Sequence, residues 1–223
     1  MKIVIVLFWL IAIFHQAGEV IEEPALRFFT KPLLMPLLIA WYFLATRQNR
    51  TSVHWLMMVA LVFSCAGDMF LMYTTELFFL LGLISFLITH VLYIVVFKKQ
   101  TKAVGGTLLL KQKPYLALPV AALAAVLIAL VFNRIEQAMK IPVIVYATVI
   151  TTMVITALNR HQKVSNQSFQ SVFIGAVLFM LSDSLIALNK FYFEGTLWHA
   201  SVFIMLLYII GQYLIAKGTA QTN

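Results

Sequence analysis

The chain alternates long apolar runs with short polar breaks. Predominantly apolar stretches fall at residues 3–17, 32–46, 54–73, 77–97, 115–132, 141–158, 171–189 and 197–216. Each approaches the ~20 residues that a helix needs to cross the hydrocarbon of a bilayer. Because the runs are continuous rather than alternating, they exclude a β-barrel, whose strands turn every second side chain inward. The pattern predicts an all-α fold, a polytopic integral membrane helical bundle of about eight transmembrane helices, with residues 1–223 forming a single transmembrane domain. No repeat of fixed period appears, nor the inverted symmetry common in transporters.

Two local features refine the pattern. Lys2 and the apolar run to Phe14 have the look of a secretion signal, but His15-Gln16-Ala17 is a poor cleavage site, so the first run is read as a retained helix. Pro32 is expected at an early helical position of the second span, where proline is tolerated, and Pro36 as a bend within it.

Composition agrees with the pattern. Hydrophobic residues make up 62% of the chain, charged residues 11%, and the mean hydropathy is +0.96; soluble domains average roughly 45–50% apolar. The formal net charge of +8 resides in the breaks between spans, which points to membrane topology and lipid headgroups and away from nucleic acid. Of the 16 Lys and Arg residues, 11 fall in breaks on the side of the N-terminus. The positive-inside rule then places both termini in the cytoplasm, which requires an even number of spans. The expected location is a bacterial inner membrane. Cys65 is the single cysteine, so an internal disulfide framework and a cysteine-based metal site are excluded.

The candidate chemistry lies in the polar residues inside the spans. An ionisable side chain in hydrocarbon costs roughly 2.5–3.5 kcal/mol on insertion scales and faces the protein interior by default. Asp68, late in the third span, and Asp183, two-thirds along the seventh, meet that description and are expected at similar depth. Gly175, Phe179, Asp183 and Lys190 recur at helical spacing, which makes Lys190 a candidate anion contact two turns beyond Asp183. Lys31, at the same end of the second span, is a second candidate. His90 shares a helix face with Gly82, Phe86 and Tyr93 and is assigned to cavity lining. Tyr208 and Gln212, four residues apart on the last span, need polar partners within the bilayer. Zinc-type spacing such as His-Glu-x-x-His, phosphate loops and nucleophile elbows are all absent from the sequence, so a metal is not expected.

Taken in order, Lys31-Pro32-Leu33, Gly67-Asp68, Gly82-Leu83-Ile84-Ser85-Phe86 with His90 and Tyr93, Phe179 to Ala187, and Tyr208 with Gln212 resemble the YhhN family of membrane proteins. The resemblance runs from about Lys31 to Ala216. It implies a lysoplasmalogenase-like alkenyl ether hydrolase that splits the vinyl ether of a lysoplasmalogen. The products would be a fatty aldehyde and glycerophosphocholine or glycerophosphoethanolamine. On this reading Asp68 and Asp183 are the catalytic pair, one carboxyl donating a proton and the other stabilising the cation or activating water. Lys31, His90, Tyr93, Lys190, Tyr208 and Gln212 contact the lysophospholipid, and no cofactor is required. The competing reading is a proton- or cation-coupled transporter or lipid-binding membrane protein. A third, an aspartyl intramembrane protease, is disfavoured because Cys65-Ala66-Gly67-Asp68 lacks the first glycine of the Gly-x-Gly-Asp pattern.

Overall fold

The computed structural model describes residues 1–48 and 50–221. Among these residues, eight helices are long and apolar enough to cross a membrane. They are α1 (Lys2–Val20), α2 (Pro24–Ala45), α3 (Ser52–Phe70), α4 (Glu76–Lys102), α5 (Leu118–Val131), α6 (Gln137–Leu158), α7 (Asn166–Ala187) and α8 (Ala200–Ala220). Short 3-10 turns extend α5 into a span of Pro114–Arg134, and a π-helical turn at Leu188–Tyr192 carries the α7 span to Tyr192. A one-turn helix at Leu109–Gln112 sits in the break before α5.

All eight apolar runs became helices, with ends shifted by up to five residues and, at the start of the second, by eight. The second begins at Pro24, eight residues earlier than its hydropathy indicates. Glu22 adopts φ 56°, the chain reverses, and the Glu23 carboxylate caps the helix by accepting from the Ala25 N–H at 3.3 Å with Pro24 in the first turn. Arg27 and Lys31 had masked this turn. Pro32 is therefore an interior helical residue, as is Pro36, and not an early one. The fourth helix continues past Phe97 to Lys102, because Lys98, Lys99 and Lys102 form its polar last turns.

Small residues set the closest approach. A Cβ on Gly175 would lie 2.7 Å from the Gly211 carbonyl oxygen, and one on Gly218 would lie 2.8 Å from the Ser168 carbonyl oxygen. Helices α7 and α8 thus touch backbone to backbone along their length, as small-residue seams permit in membranes. The seam continues where the Ser182 hydroxyl donates to the Ile204 carbonyl at 2.9 Å. On α3 and α4 the same principle operates: a Cβ on Gly67 would meet the Phe86 ring at 2.7 Å, and one on Gly82 would meet the Leu71 side chain at 2.7 Å.

The two bundle ends differ in their polar chemistry. At one end Arg160 is fully buried, donates to the Ser168 hydroxyl at 2.9 Å, and lies with its guanidinium 5.4 Å from the Phe97 ring centre. Burial pulls its pKa down to about 9. Helix α5 flanks the core: only Val131 of Leu118–Val131 is buried, while Val120, Leu123 and Ala124 pack partly buried against it.

Candidate functional site

Asp183 is delivered by the α7–α8 seam, two turns beyond Gly175. Its side chain is 8% exposed. The Tyr146 hydroxyl, from α6, donates a short hydrogen bond to Oδ2, and His90 Nε2, from α4, lies 3.2 Å from the same oxygen. His90 and Tyr146 also approach each other, at 3.0 Å between Nε2 and the hydroxyl. Both partners bind one carboxylate oxygen, so among the described residues Oδ1 has no hydrogen-bond partner.

Asp68, on α3, has a separate set of partners. It is 4% exposed and receives the Tyr208 hydroxyl of α8 at 2.6 Å on Oδ2. Asp183 and Lys31 are the charged groups within electrostatic reach of it. Between the two carboxylates stands an aromatic cluster. The Phe179 ring centre lies 4.7 Å from that of His90, 5.4 Å from Tyr208 and 5.9 Å from Phe86, and the Phe86 and Tyr208 centres are 5.8 Å apart. The aspartates therefore belong to one electrostatic unit without forming a hydrogen-bonded dyad.

A third polar cluster braces the helices around Asp68. Tyr93 donates to Gln212 Oε1 at 2.5 Å, Gln212 Nε2 donates to Ser64 Oγ at 2.8 Å, and Ser64 Oγ donates to Thr89 Oγ1 at 3.3 Å. These four side chains are all completely buried, so each needs an internal partner and the network fixes the register of α3, α4 and α8. In this structure Tyr93 and Gln212 bond to each other and to Ser64, one layer away from the Asp183 carboxylate.

Two narrow apolar cavities reach Asp183. One, of about 50 Å³, is lined by Leu71, Phe79, Leu83, Phe86, Tyr146 and Phe191 among others. The other, of about 60 Å³, runs between α5, α6 and α7 past Leu127, Ile128, Val131, Tyr146 and Met180. Asp68 lines neither. Apart from Asp183, Tyr146 and, in the second, Ser184, their linings are apolar.

The lysines separate. Lys190 lies in the π turn, where Phe193 N–H bonds to the Leu188 carbonyl at 2.9 Å, and its ammonium sits 4.2 Å from the Phe79 ring centre. It lines a wider cavity at the bundle end, beyond Phe79 and Phe191, and does not line either slot with Asp183. The π turn inserts one residue per hydrogen-bonded ring, which breaks the helical register extrapolated from Asp183. Lys31 does not line that cavity; it is half-buried near Asp68 and His15.

Tyr146 is the residue the sequence reading missed. Its signal was the one tyrosine of the span, a hydroxyl too far from its own backbone to bond back to the helix as the threonines Thr148, Thr151, Thr152 and Thr156 do. Among the described residues no group of three or more His, Cys, Asp or Glu is placed to hold a metal ion.

The structure is an eight-helix membrane bundle with two interior aspartates, one of which borders narrow apolar cavities. The chain belongs to the YhhN family, which it matches over residues 26–219. It is 30% identical over 169 residues to the human protein named lysoplasmalogenase TMEM86A, covering 74% of this chain and 65% of the relative. To the Bos taurus protein of the same name it is 29% identical over 184 residues, covering 81% of this chain and 70% of the relative. This chain thus spans about 65% of the human relative's length. No solved structure matches the chain.

Proposed function

We propose that this protein hydrolyses the vinyl ether of a lysoplasmalogen, releasing a fatty aldehyde and a glycerophospho-amine. The observation that carries the reading is Asp183: a carboxylate held on Oδ2 by Tyr146 and His90, with Oδ1 unpartnered, at the head of apolar slots between membrane helices. The names borne by the human and bovine relatives agree with it.

In the proposed reaction the alkenyl chain lies in the slots and the vinyl ether reaches Asp183. The Asp183 carboxyl gives its proton to the β-carbon, whose new C–H bond takes the π-electron pair and leaves an oxocarbenium ion on the α-carbon and ether oxygen. Water adds to the α-carbon and returns a proton to the carboxylate. The resulting hemiacetal breaks its C–O bond to the glycerol, giving the aldehyde and a glycerol hydroxyl. Tyr146 and His90 orient the carboxyl, and the charge on Asp68 acts through the aromatic layer on the developing cation. On this reading Asp68 is a positioning and electrostatic group, since it lines neither slot and Asp183 lines both.

The test is release of fatty aldehyde from a lysoplasmalogen by the purified protein in nanodiscs, with the saturated-ether analogue as control. Aldehyde from the vinyl ether alone supports the reading. Proton-dependent uptake of intact lipid by liposomes, with no aldehyde formed, replaces it with a transporter.

A further inference from the structure

The cavity at the bundle end has chemistry that the vinyl ether reaction does not use. It has a volume of about 380 Å³ and is lined by Lys190, Arg134, Glu76, Glu136 and Glu194 around Phe79, Phe191 and Met139. Its charges come from the first turn of α4 and from the breaks after α5 and α7. Among the described residues the ion pairs join His15 and Arg27 to Glu19, and His90 to Asp183. None of the five cavity charges pairs with another.

The cations are held in place by other means. Arg134 donates to the Tyr192 carbonyl at 3.2 Å and lies 4.3 Å from the centre of the Tyr192 ring. Lys190 rests over Phe79. Two fixed cations and three carboxylates that share one cavity without neutralising each other suit a ligand carrying both signs of charge.

The position of the cavity restricts the ligand further. Phe79 and Phe191 line both this cavity and the slot that reaches Asp183. Lys190 follows Asp183 by seven residues, about 10 Å along the helix at 1.5 Å per residue. That separation accommodates a glycerophospho unit extending from a vinyl ether at Asp183 out to the bundle end.

We propose that this cavity is the headgroup subsite, in which Lys190 and Arg134 take the phosphate and Glu76, Glu136 and Glu194 take the ammonium of a zwitterionic lysophospholipid. The proposal rests on the hydrolase reading for its substrate and adds to it the residues that select the headgroup. An anionic headgroup such as phosphoglycerol satisfies the cations but leaves the three carboxylates facing hydroxyls. Wild type is therefore expected to discriminate against it through KM.

The experiment uses full-length protein in nanodiscs and lysoplasmalogens carrying phosphoethanolamine or phosphoglycerol. Wild type is expected to show a KM at least fivefold lower for phosphoethanolamine. Glu136→Gln combined with Glu194→Gln brings the two KM values within twofold, and Lys190→Gln raises both at least fivefold, with much smaller changes in kcat. All three residues are exposed, so the substitutions leave the bundle packing intact. Hydrolysis with equal KM for the two headgroups, or KM values unmoved by these substitutions, overturns the subsite and leaves the hydrolase standing. Binding of the saturated-ether phosphoethanolamine analogue, measured in parallel, separates the two ideas. Binding weakened at least fivefold by Lys190→Gln, without aldehyde release from the vinyl ether, keeps the subsite and removes the reaction.

Discussion

The Tyr146 hydroxyl and the Asp183 carboxylate, on helices α6 and α7, share a short hydrogen bond on Oδ2, the oxygen that His90 also approaches. In the proposed mechanism the opposite carboxyl edge, Oδ1, meets the substrate. Asp183→Asn is expected to lower kcat for aldehyde release by about 100-fold or more, as loss of a general acid does. Tyr146→Phe keeps the carboxyl but releases its orientation, and the expected loss is about 10-fold in kcat with little change in KM. Stopped assays of aldehyde formation at saturating substrate check both values. Wild-type activity in Asp183→Asn would sink the proposed mechanism.

In the proposed mechanism Asp68, bonded to Tyr208 beside the Phe86 and Phe179 rings, acts through its charge. Asp68→Asn is expected to reduce kcat at least about 10-fold while leaving KM within about twofold, because a group that acts on a developing cation without touching substrate affects mainly the transition state. Tyr208→Phe, which removes the partner of Asp68 Oδ2, is expected to give a smaller reduction of the same kind.

The α7–α8 seam has no room for a side chain at its glycines. A Cβ on Gly211 would lie 3.0 Å from the Gly175 carbonyl oxygen and 3.2 Å from the Phe179 amide nitrogen. Gly211→Leu must push the helices apart, at an expected cost of about 1–3 kcal/mol or more. Since Phe179 and Asp183 ride on the displaced helix, activity falls together with thermal stability. Thermal unfolding of the detergent-solubilised protein, run beside the activity assay, is the measurement.

At the other end, Ser168 accepts from Arg160 at 2.9 Å and donates to the Gly218 carbonyl at 2.6 Å. Ser168→Ala leaves a fully buried guanidinium with one partner fewer and is expected to destabilise the protein by about 1–3 kcal/mol. Because this cluster is remote from Asp183, kcat of the folded fraction stays at the wild-type value. A loss of kcat without loss of stability would contradict that separation.

The distribution of basic residues predicts an orientation, with both termini cytoplasmic. In a Cys65→Ser background, Lys113→Cys and Thr196→Cys are expected to react with a membrane-impermeant thiol reagent from opposite faces of the membrane, Thr196→Cys from the extracytoplasmic face. Labelling of both from one face refutes the arrangement.

The sequence by itself determined the number and type of elements. Eight apolar runs become eight helices because a chain in hydrocarbon must satisfy its backbone internally, and local composition is enough to enforce that. It also exposed Asp68 and Asp183, since an ionisable residue among aliphatic ones is costly wherever the helix points. Hydropathy read the ends less well. Arg27 and Lys31 hid the first turns of α2, while the Glu23 cap and Pro24 that start it are local features. Only the tertiary structure decided the partners. Tyr146 meets Asp183 from a helix 37 residues away in sequence, and Tyr93 finds Gln212 across 119 residues. Nothing in a single span encodes which neighbour satisfies its hydroxyl. Lys190 teaches the same lesson. Helical periodicity set it beside Asp183, and one π turn carried it into a separate cavity beyond Phe79 and Phe191. Helix formation is a local balance of hydrogen bonds and burial. The site arises from close approach between helices, which glycine seams and buried polar pairs fix in three dimensions.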